Sequence, residues 1–321
     1  MRGFTKIMLM IAAICIGLGA VFFVLLMSVN GWDFSKLGGK YQEKTYEITQ
    51  DFHSISMDTK TADIHFVLSE NEQCKVVCFE KEKTLHNVEV ENGVLSVALN
   101  DQRKWYDYIE ISTKSAKITV SLPETQYQSL IVKGGTGIIE LPKNLQFESA
   151  DLKMSTGDVY CAATILKTLK ITTSTGDIIV ENDSVGAAEL SVSTGDVRIS
   201  SLNCQGDLSI SVSTGKTILN DVQCKNLISS GSTGDMRLTN VIALEKFSIE
   251  RSTGDVLFDG CDAGEIEIET STGDVKGTLL SEKIVFANAA TGKVLVPEWI
   301  SGGKCKITTS TGDIILGLKT E

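Results

Sequence analysis

Ser174-Thr175-Gly176-Asp177 is a unit that the chain repeats: full copies of Ser-Thr-Gly-Asp end at Asp158, Asp177, Asp196, Asp235, Asp255, Asp274 and Asp313. Variants stand at Gly135–Ile138, Ser213–Lys216 and Ala290–Lys293. The glycines of the set are Gly137, Gly157, Gly176, Gly195, Gly215, Gly234, Gly254, Gly273, Gly292 and Gly312, and they step by 19 or 20 residues. A period that regular over more than half the chain marks a solenoid, in which each unit buries its apolar face only against its neighbours.

Counting outward from each glycine shows what a unit is made of. Two places on stand Val159, Ile178, Val197, Met236, Val256, Val275, Val294 and Ile314. Four places on stand Cys161, Val180, Ile199, Leu219, Leu238, Phe258, Val296 and Leu316. A second alternating pair precedes the next glycine, as in Leu169 with Ile171, Leu208 with Ile210, and Ile266 with Ile268. Period two with β-branched residues specifies strands that bury one face, and no helical period competes with it. Strands recurring in one order without hairpin signals stack as parallel ladders about 4.8 Å apart. The expected fold is all-β, a single-stranded parallel β-helix, right-handed as parallel crossovers usually are. Ten coils give a rod of roughly 45 Å.

Each corner needs a residue at positive φ, which glycine supplies, and side chains that satisfy free backbone groups, which Ser, Thr and Asp supply. Gly157 with Asp158, Gly176 with Asp177, Gly195 with Asp196, Gly234 with Asp235, Gly254 with Asp255, Gly273 with Asp274 and Gly312 with Asp313 are therefore structural turn residues. In sequence order Lys216 falls between the coils of Asp196 and Asp235, and Lys293 between those of Asp274 and Asp313, so each lysine is expected to neutralise two neighbours. One aspartate per coil supplies too few oxygens for a calcium ladder, which leaves no metal and no cofactor implied.

With 321 residues, 42% of them apolar and 22% charged, the chain can bury a large core. A net charge of −11 argues against nucleic acid as a partner. Ile7 to Val29 is an almost wholly apolar run, long enough to cross a bilayer and without the cleavage-site pattern of a signal peptide. The expected organisation is a cytoplasmic tail at 1–6, an anchor at 7–29, a juxtamembrane linker at 30–44 and irregular β coils that form an N-terminal cap at 45–133. Regular repeats then fill 134–321. Lys36, Lys40 and Lys44 balance Arg2 and Lys6, so charge does not fix orientation; the short tail favours N-terminus inside and the solenoid outside the cell membrane. Ile314–Leu318 is expected to be the last rung, an unpaired apolar edge open to self-association.

From about Tyr46 onward the chain resembles the bacterial "putative adhesin" family of β-strand-repeat proteins. The likeness rests on Ile55 to Ile64, with its Thr-x-x-Ala-Asp-Ile ending, on Ile118–Pro123, and on the Ser-Thr-Gly-Asp coils. The resemblance implies an exported or membrane-tethered β-helical domain, and neither an activity nor functional residues.

His53, His65 and His86 belong to no nucleophile or metal motif and are expected to be ordinary strand or loop residues. Of eight cysteines, Cys161, Cys204, Cys224, Cys261 and Cys305 fall on core positions, with Cys204 to Cys224 the best candidate for a bridge. The one candidate binding face is acidic: Glu265, Glu267 and Glu269 alternate outward, and Glu250 should stack beside Glu269. Paired carboxylates serve glycoside hydrolysis, but no aromatic platform accompanies these, and the nearest outward cations are Arg198 and Arg237. A solvated charged face is the expectation. The function that follows is non-enzymatic: a membrane-anchored cell-envelope scaffold for a wall polymer, glycan or protein. The alternatives are a sensory component acting through another membrane protein and a carbohydrate-active enzyme.

Overall fold

The computed structural model describes residues 2–29, 31–32, 40–103, 115–182 and 184–319, so Lys36 in the linker and Thr320–Glu321 of the tail lie outside the described residues. Arg2–Val29 form one helix, α1, of which Gly3–Val29 is long and apolar enough to cross a membrane. Everything else described is strand and corner, in a solenoid of about nine turns.

The N-terminal end comprises β1 (Tyr41–Ile48), β2 (Ser54–Asp58), β3 (Asp63–Leu68), β4 (Cys74–Lys81), β5 (Thr84–Glu91), β6 (Val94–Asp101) and β7 (Lys117–Leu122). Strands fill this end, as expected of 45–133. Their arrangement is not a set of looser coils: β4 runs antiparallel to both β1 and β7, and β5 antiparallel to β6. Asn92 and Gly93 both have positive φ in the two-residue turn between β5 and β6, the conformation that an Asn-Gly hairpin favours. β2 and β3 lie parallel to β6 and β7 on one side, and join the first regular coil on the other. The antiparallel strands thus end the parallel ladder, with β1 and β5 each paired on one side only among the described residues.

The regular coils begin with β8 (Gln126–Thr136), β9 (Ile139–Leu141), β10 (Gln146–Thr156), β11 (Val159–Cys161), β12 (Thr164–Thr175) and β13 (Ile178–Glu181). They continue with β14 (Val185–Thr194), β15 (Val197–Asn203) and β16 (Asp207–Thr214). Three long bent strands follow, β17 (Thr217–Thr233), β18 (Met236–Thr253) and β19 (Val256–Thr272), each carrying the end of one coil and the start of the next. Leu152, Ile171, Leu190 and Ile210 align from β10 through β12 and β14 to β16, all buried, which is the core column the alternation specifies. A second corner, not expected from the sequence, stacks Ser201, Asp221, Asn240 and Gly260, all at positive φ.

The last two coils do not stack in chain order. After β20 (Val275–Leu279) come β21 (Lys283–Thr291), β22 (Val294–Leu295), β23 (Gly303–Thr311) and β24 (Ile314–Leu318). β19 pairs with β23, and β23 with β21; β20 pairs with β24, and β24 with β22. The final coil in sequence is therefore inserted beneath the one before it. Ile314–Leu318, expected as the open edge, has β20 along its whole length on one side and β22 on the other at Ile314 and Ile315, and the outermost strands are instead β21 and β22.

The side chains give the reason. Insertion sets Lys304 and Lys306 beside Glu265 and Glu267, where β21 would have set Ile284 and Phe286. It also keeps the consensus Ser-Thr-Gly-Asp corner inside the stack and puts the divergent Ala290–Lys293 corner at the end, as terminal repeats usually are. The inward residues of β21 are Val285, Ala287 and Ala289, only half-buried, and Val296 and Trp299 pack with them against the core. Val294, expected in the core, is 40% exposed because its coil is the last.

Candidate functional site

The corner column is built as the turn chemistry requires. At Gly195 φ is +144°, and a Cβ there would collide with the carbonyl oxygen of Gly176 in the coil beneath. Glycine is needed both for the backbone angle and for the close approach of stacked corners. The aspartates form a hydrogen-bonded ladder: the N–H groups of Asp177 and Asp196 each donate to Oδ1 of the preceding aspartate, at 2.8 Å. The N–H of Asp255 donates to Asp235, that of Asp274 to Asp255, and that of Asp313 to Asp274. Each carboxylate thus takes up a backbone donor that the parallel ladder leaves free at the bend.

The two lysines act differently from the expectation. Lys216 donates its N–H to Asp196, and Lys293 donates its N–H to Asp313. Lys293 lies beyond Asp313 and not between Asp274 and Asp313, because of the inserted coil. Among the described residues neither lysine forms an ion pair. The neutralising cations stand two places after an aspartate: Arg198 bridges Asp177 and Asp196 at 2.6 Å, and Lys276 meets Asp274 at 2.5 Å.

On the acidic face Glu250 and Glu269 are in register, as expected, and outward-facing. The neighbourhood, however, is not free of cations. Glu267 is held by Lys246 at 2.8 Å and Lys306 at 3.1 Å, and Glu265 by Lys304 at 3.6 Å. Hydrogen bonds from Lys246 and Lys306 bring the Glu267 carboxyl down to about 2. A carboxylate fixed so firmly in its ionised form cannot serve as a general acid near neutral pH. Two of these lysines come from the inserted coil, which is why sequence order missed them.

The cysteines take the core positions expected of them, without the candidate bridge, and one histidine departs from expectation. Cys204 and Cys224 are free, buried thiols, and so are Cys74, Cys78, Cys161, Cys261 and Cys305. Burial pushes the Cys224 thiol up to about 12, which makes it a small core residue and not a reactive one. His86 is not an ordinary strand residue: its Nδ1 lies 2.6 Å from Oε2 of Glu80, and its backbone N–H also donates to that oxygen, with both side chains buried. The signal was in the alternation, since Cys74, Val76, Cys78 and Glu80 share the inward face of β4. A cavity of 260 Å³ adjoins His86, with Lys60 and Thr84 also on its wall.

The remaining surface of note is the open end of the rod. β21 has a strand partner on one side only, and Ile284, Phe286, Leu280, Leu295 and Ile300 are exposed around it.

Solved structures of similar shape include one titled "putative lipid binding protein" from Parabacteroides distasonis, 15% identical, covering 75% of this chain and 98% of its own, with a TM-score of 0.39. A "putative adhesin" from the same organism is 14% identical over 84% of this chain and 97% of its own, with a TM-score of 0.41. A "putative cell adhesion protein" from Clostridium sporogenes is 11% identical over 87% and 100%, with a TM-score of 0.24. At these scores none of them bears on function. No curated protein matches the sequence. The family model described as Toastrack DUF4097 matches residues 52–211 and again 203–321, which takes in β2 to β7 and the inserted coil, and the chain belongs to that family.

Proposed function

We propose that this protein is a non-enzymatic scaffold of the cell envelope, anchored by α1, that carries an interaction surface away from the membrane on a β-solenoid. The observation that supports this reading best is the asymmetry of the rod. Its anchored end finishes in the antiparallel strands β1, β4 and β5, and at its far end β21 lies among the exposed apolar side chains of Ile284, Phe286, Leu295 and Ile300. Exposed apolar patches rimmed by polar surface mark interaction sites in soluble domains. The acidic face favours the same reading over glycoside hydrolysis, because lysines occupy Glu265 and Glu267.

The test uses cells that display the full chain. The solenoid is expected to be cut by external protease on intact cells, and those cells to be retained on an immobilised wall-polymer, glycan or surface-protein fraction above cells that lack the chain. Protection from external protease, or equal retention on all three fractions, would contradict the proposal.

A further inference from the structure

At the N-terminal end two sheet edges face each other across a gap. Among the described residues β1 pairs with β4 alone and β5 with β6 alone, so each has one edge without a strand partner. The Tyr46 hydroxyl crosses from β1 and donates to the carbonyl oxygen of His86 on β5 at 2.9 Å. A tyrosine side chain and one hydrogen bond together span roughly two strand spacings, about 9.6 Å, which is the width that one more strand takes up. On one side of that contact the gap is a cavity of 560 Å³ between residues 46–50 and 88–91. That volume is in the range of ligand pockets.

We propose that the gap between β1 and β5 is a docking groove for an extended peptide of alternating apolar and basic residues, which adds a strand between the two edges. The backbone of β5 selects the extended form. The N–H and C=O of His86 turn away from β6, toward the Glu80 carboxylate and the Tyr46 hydroxyl. Strand alternation puts those of Val88 and Val90 on the same edge, where no strand meets them among the described residues. A second backbone in extended form is the complement of such a row.

The side chains select the alternation. Tyr46, Ile48, Val88 and Val90 face inward and are half-buried against the end of the core, so they take apolar partners. Glu47, Glu89 and Glu91 face outward and are exposed, and among the described residues none of them forms an ion pair, although Lys75 stands opposite Glu47 on β4. Neither lysine nor arginine is on the cavity wall; Lys44 lies instead over the Tyr46 ring, 4.6 Å from its centre. An adjoining cavity of 500 Å³ shares residues 47–50 and adds Asp51 and Glu72, again without a cation on its wall.

A strand that buries every second side chain on the four inward residues turns the others toward these carboxylates. Lysine or arginine at those positions meets opposite charge, and glutamate or aspartate meets like charge. The groove lies at the other end of the rod from β21, so retention of cells on an envelope fraction and capture of this peptide are separate results.

The experiment titrates the detergent-solubilised full chain into short fluorescent peptides and follows anisotropy. One probe alternates valine with lysine, one alternates valine with glutamate, and a third is the lysine probe with every second amide N-methylated, which keeps the charge and removes the donors of one edge. The lysine probe is expected to bind, more weakly as salt is raised, and the glutamate and N-methylated probes to bind about tenfold or more less tightly. A chain with Glu89→Lys and Glu91→Lys should exchange the preference, binding the glutamate probe above the lysine probe, which an unfolded variant could not do. A lysine probe that fails to bind, or binds no better than the glutamate probe, would overturn the proposal. So would equal binding of the N-methylated probe, because charge alone would then hold the peptide.

Discussion

Arg251 is the residue at which this core departs furthest from its own pattern. It occupies an inward position and is 2% exposed, and its Nη2 donates to Thr217 Oγ1 and Ser229 Oγ, with no carboxylate as partner among the described residues. Gly231 makes room for it, since a Cβ there would collide with Nη1 of Arg251. Burial lowers the guanidinium pKa to about 10, so at pH 7 the group is charged in a medium that disfavours the charge. Arg251→Met is therefore expected to leave the melting temperature unchanged or raise it. Gly231→Ala should lower stability by about 1 kcal/mol or more, and by less in the Arg251→Met background, as a double-mutant cycle would measure.

The same scale decides what the corner lysine does. Lys216 offers the N–H of Asp235 no acceptor, whereas the aspartates elsewhere cap the next coil. Lys216→Asn should supply an amide oxygen without adding charge and raise stability by about 0.5 to 1 kcal/mol in a thermal melt. Burial alone would raise the Asp177 carboxyl, but the N–H of Asp196 and the Arg198 guanidinium more than offset this and hold it below the ordinary value. A carboxylate with a depressed folded pKa stabilises fully above its unfolded value, and that contribution is lost as pH falls through the folded one. Melting temperature should be level through neutral pH and fall below about pH 4, less steeply in Asp177→Asn.

At the scale of the element, β23 is held between β19 and β21 by three kinds of contact: the backbone ladder, the inward column of Cys305 and Ile307, and the outward pairs of Lys304 and Lys306 with Glu265 and Glu267. The ion pairs are about half exposed, so their energetic weight is small and their effect is chiefly on which strand sits where. Replacing both lysines by glutamate should destabilise by a fraction of a kcal/mol to about 1 kcal/mol at low salt, and the loss should shrink at 1 M salt. This element also marks the limit of what alternation reveals. Period two identifies β21 and β23 equally well as strands, and each leads into a corner glycine, Gly292 or Gly312. Neither period nor spacing says which of two consecutive coils lies against β19. The answer was present in complementary pairs, Glu265-x-Glu267 with Lys304-x-Lys306, and in the divergence of Ala290–Lys293, but only a comparison across non-adjacent coils brings those together.

Over the whole molecule, the sequence shows the solenoid, its 19 or 20 residue period, its core columns and its glycine corners, because each coil repeats the same local physics. Within the coils the second corner at Ser201, Asp221, Asn240 and Gly260 was not legible, and the larger departures lie at the ends, where the repeat is broken. At one end β4 and β5 turn antiparallel, and Glu80 and His86 are buried together. At the other the coil order is exchanged, which moves the open edge from β24 to β21 and so moves the surface available to a partner.

Oxidative cross-linking of the full chain addresses that exchange directly. Glu269 stands beside Thr308, and Thr308 beside Asn288, so Glu269 and Asn288 are separated by a whole strand. Neighbouring strands lie about 4.8 Å apart, within reach of a disulfide, and second neighbours about twice that, beyond it. Glu269→Cys with Thr308→Cys should cross-link rapidly, and Glu269→Cys with Asn288→Cys should remain as free thiols. Cross-linking of the second pair and not the first would show that the coils stack in chain order, with β24 as the open edge.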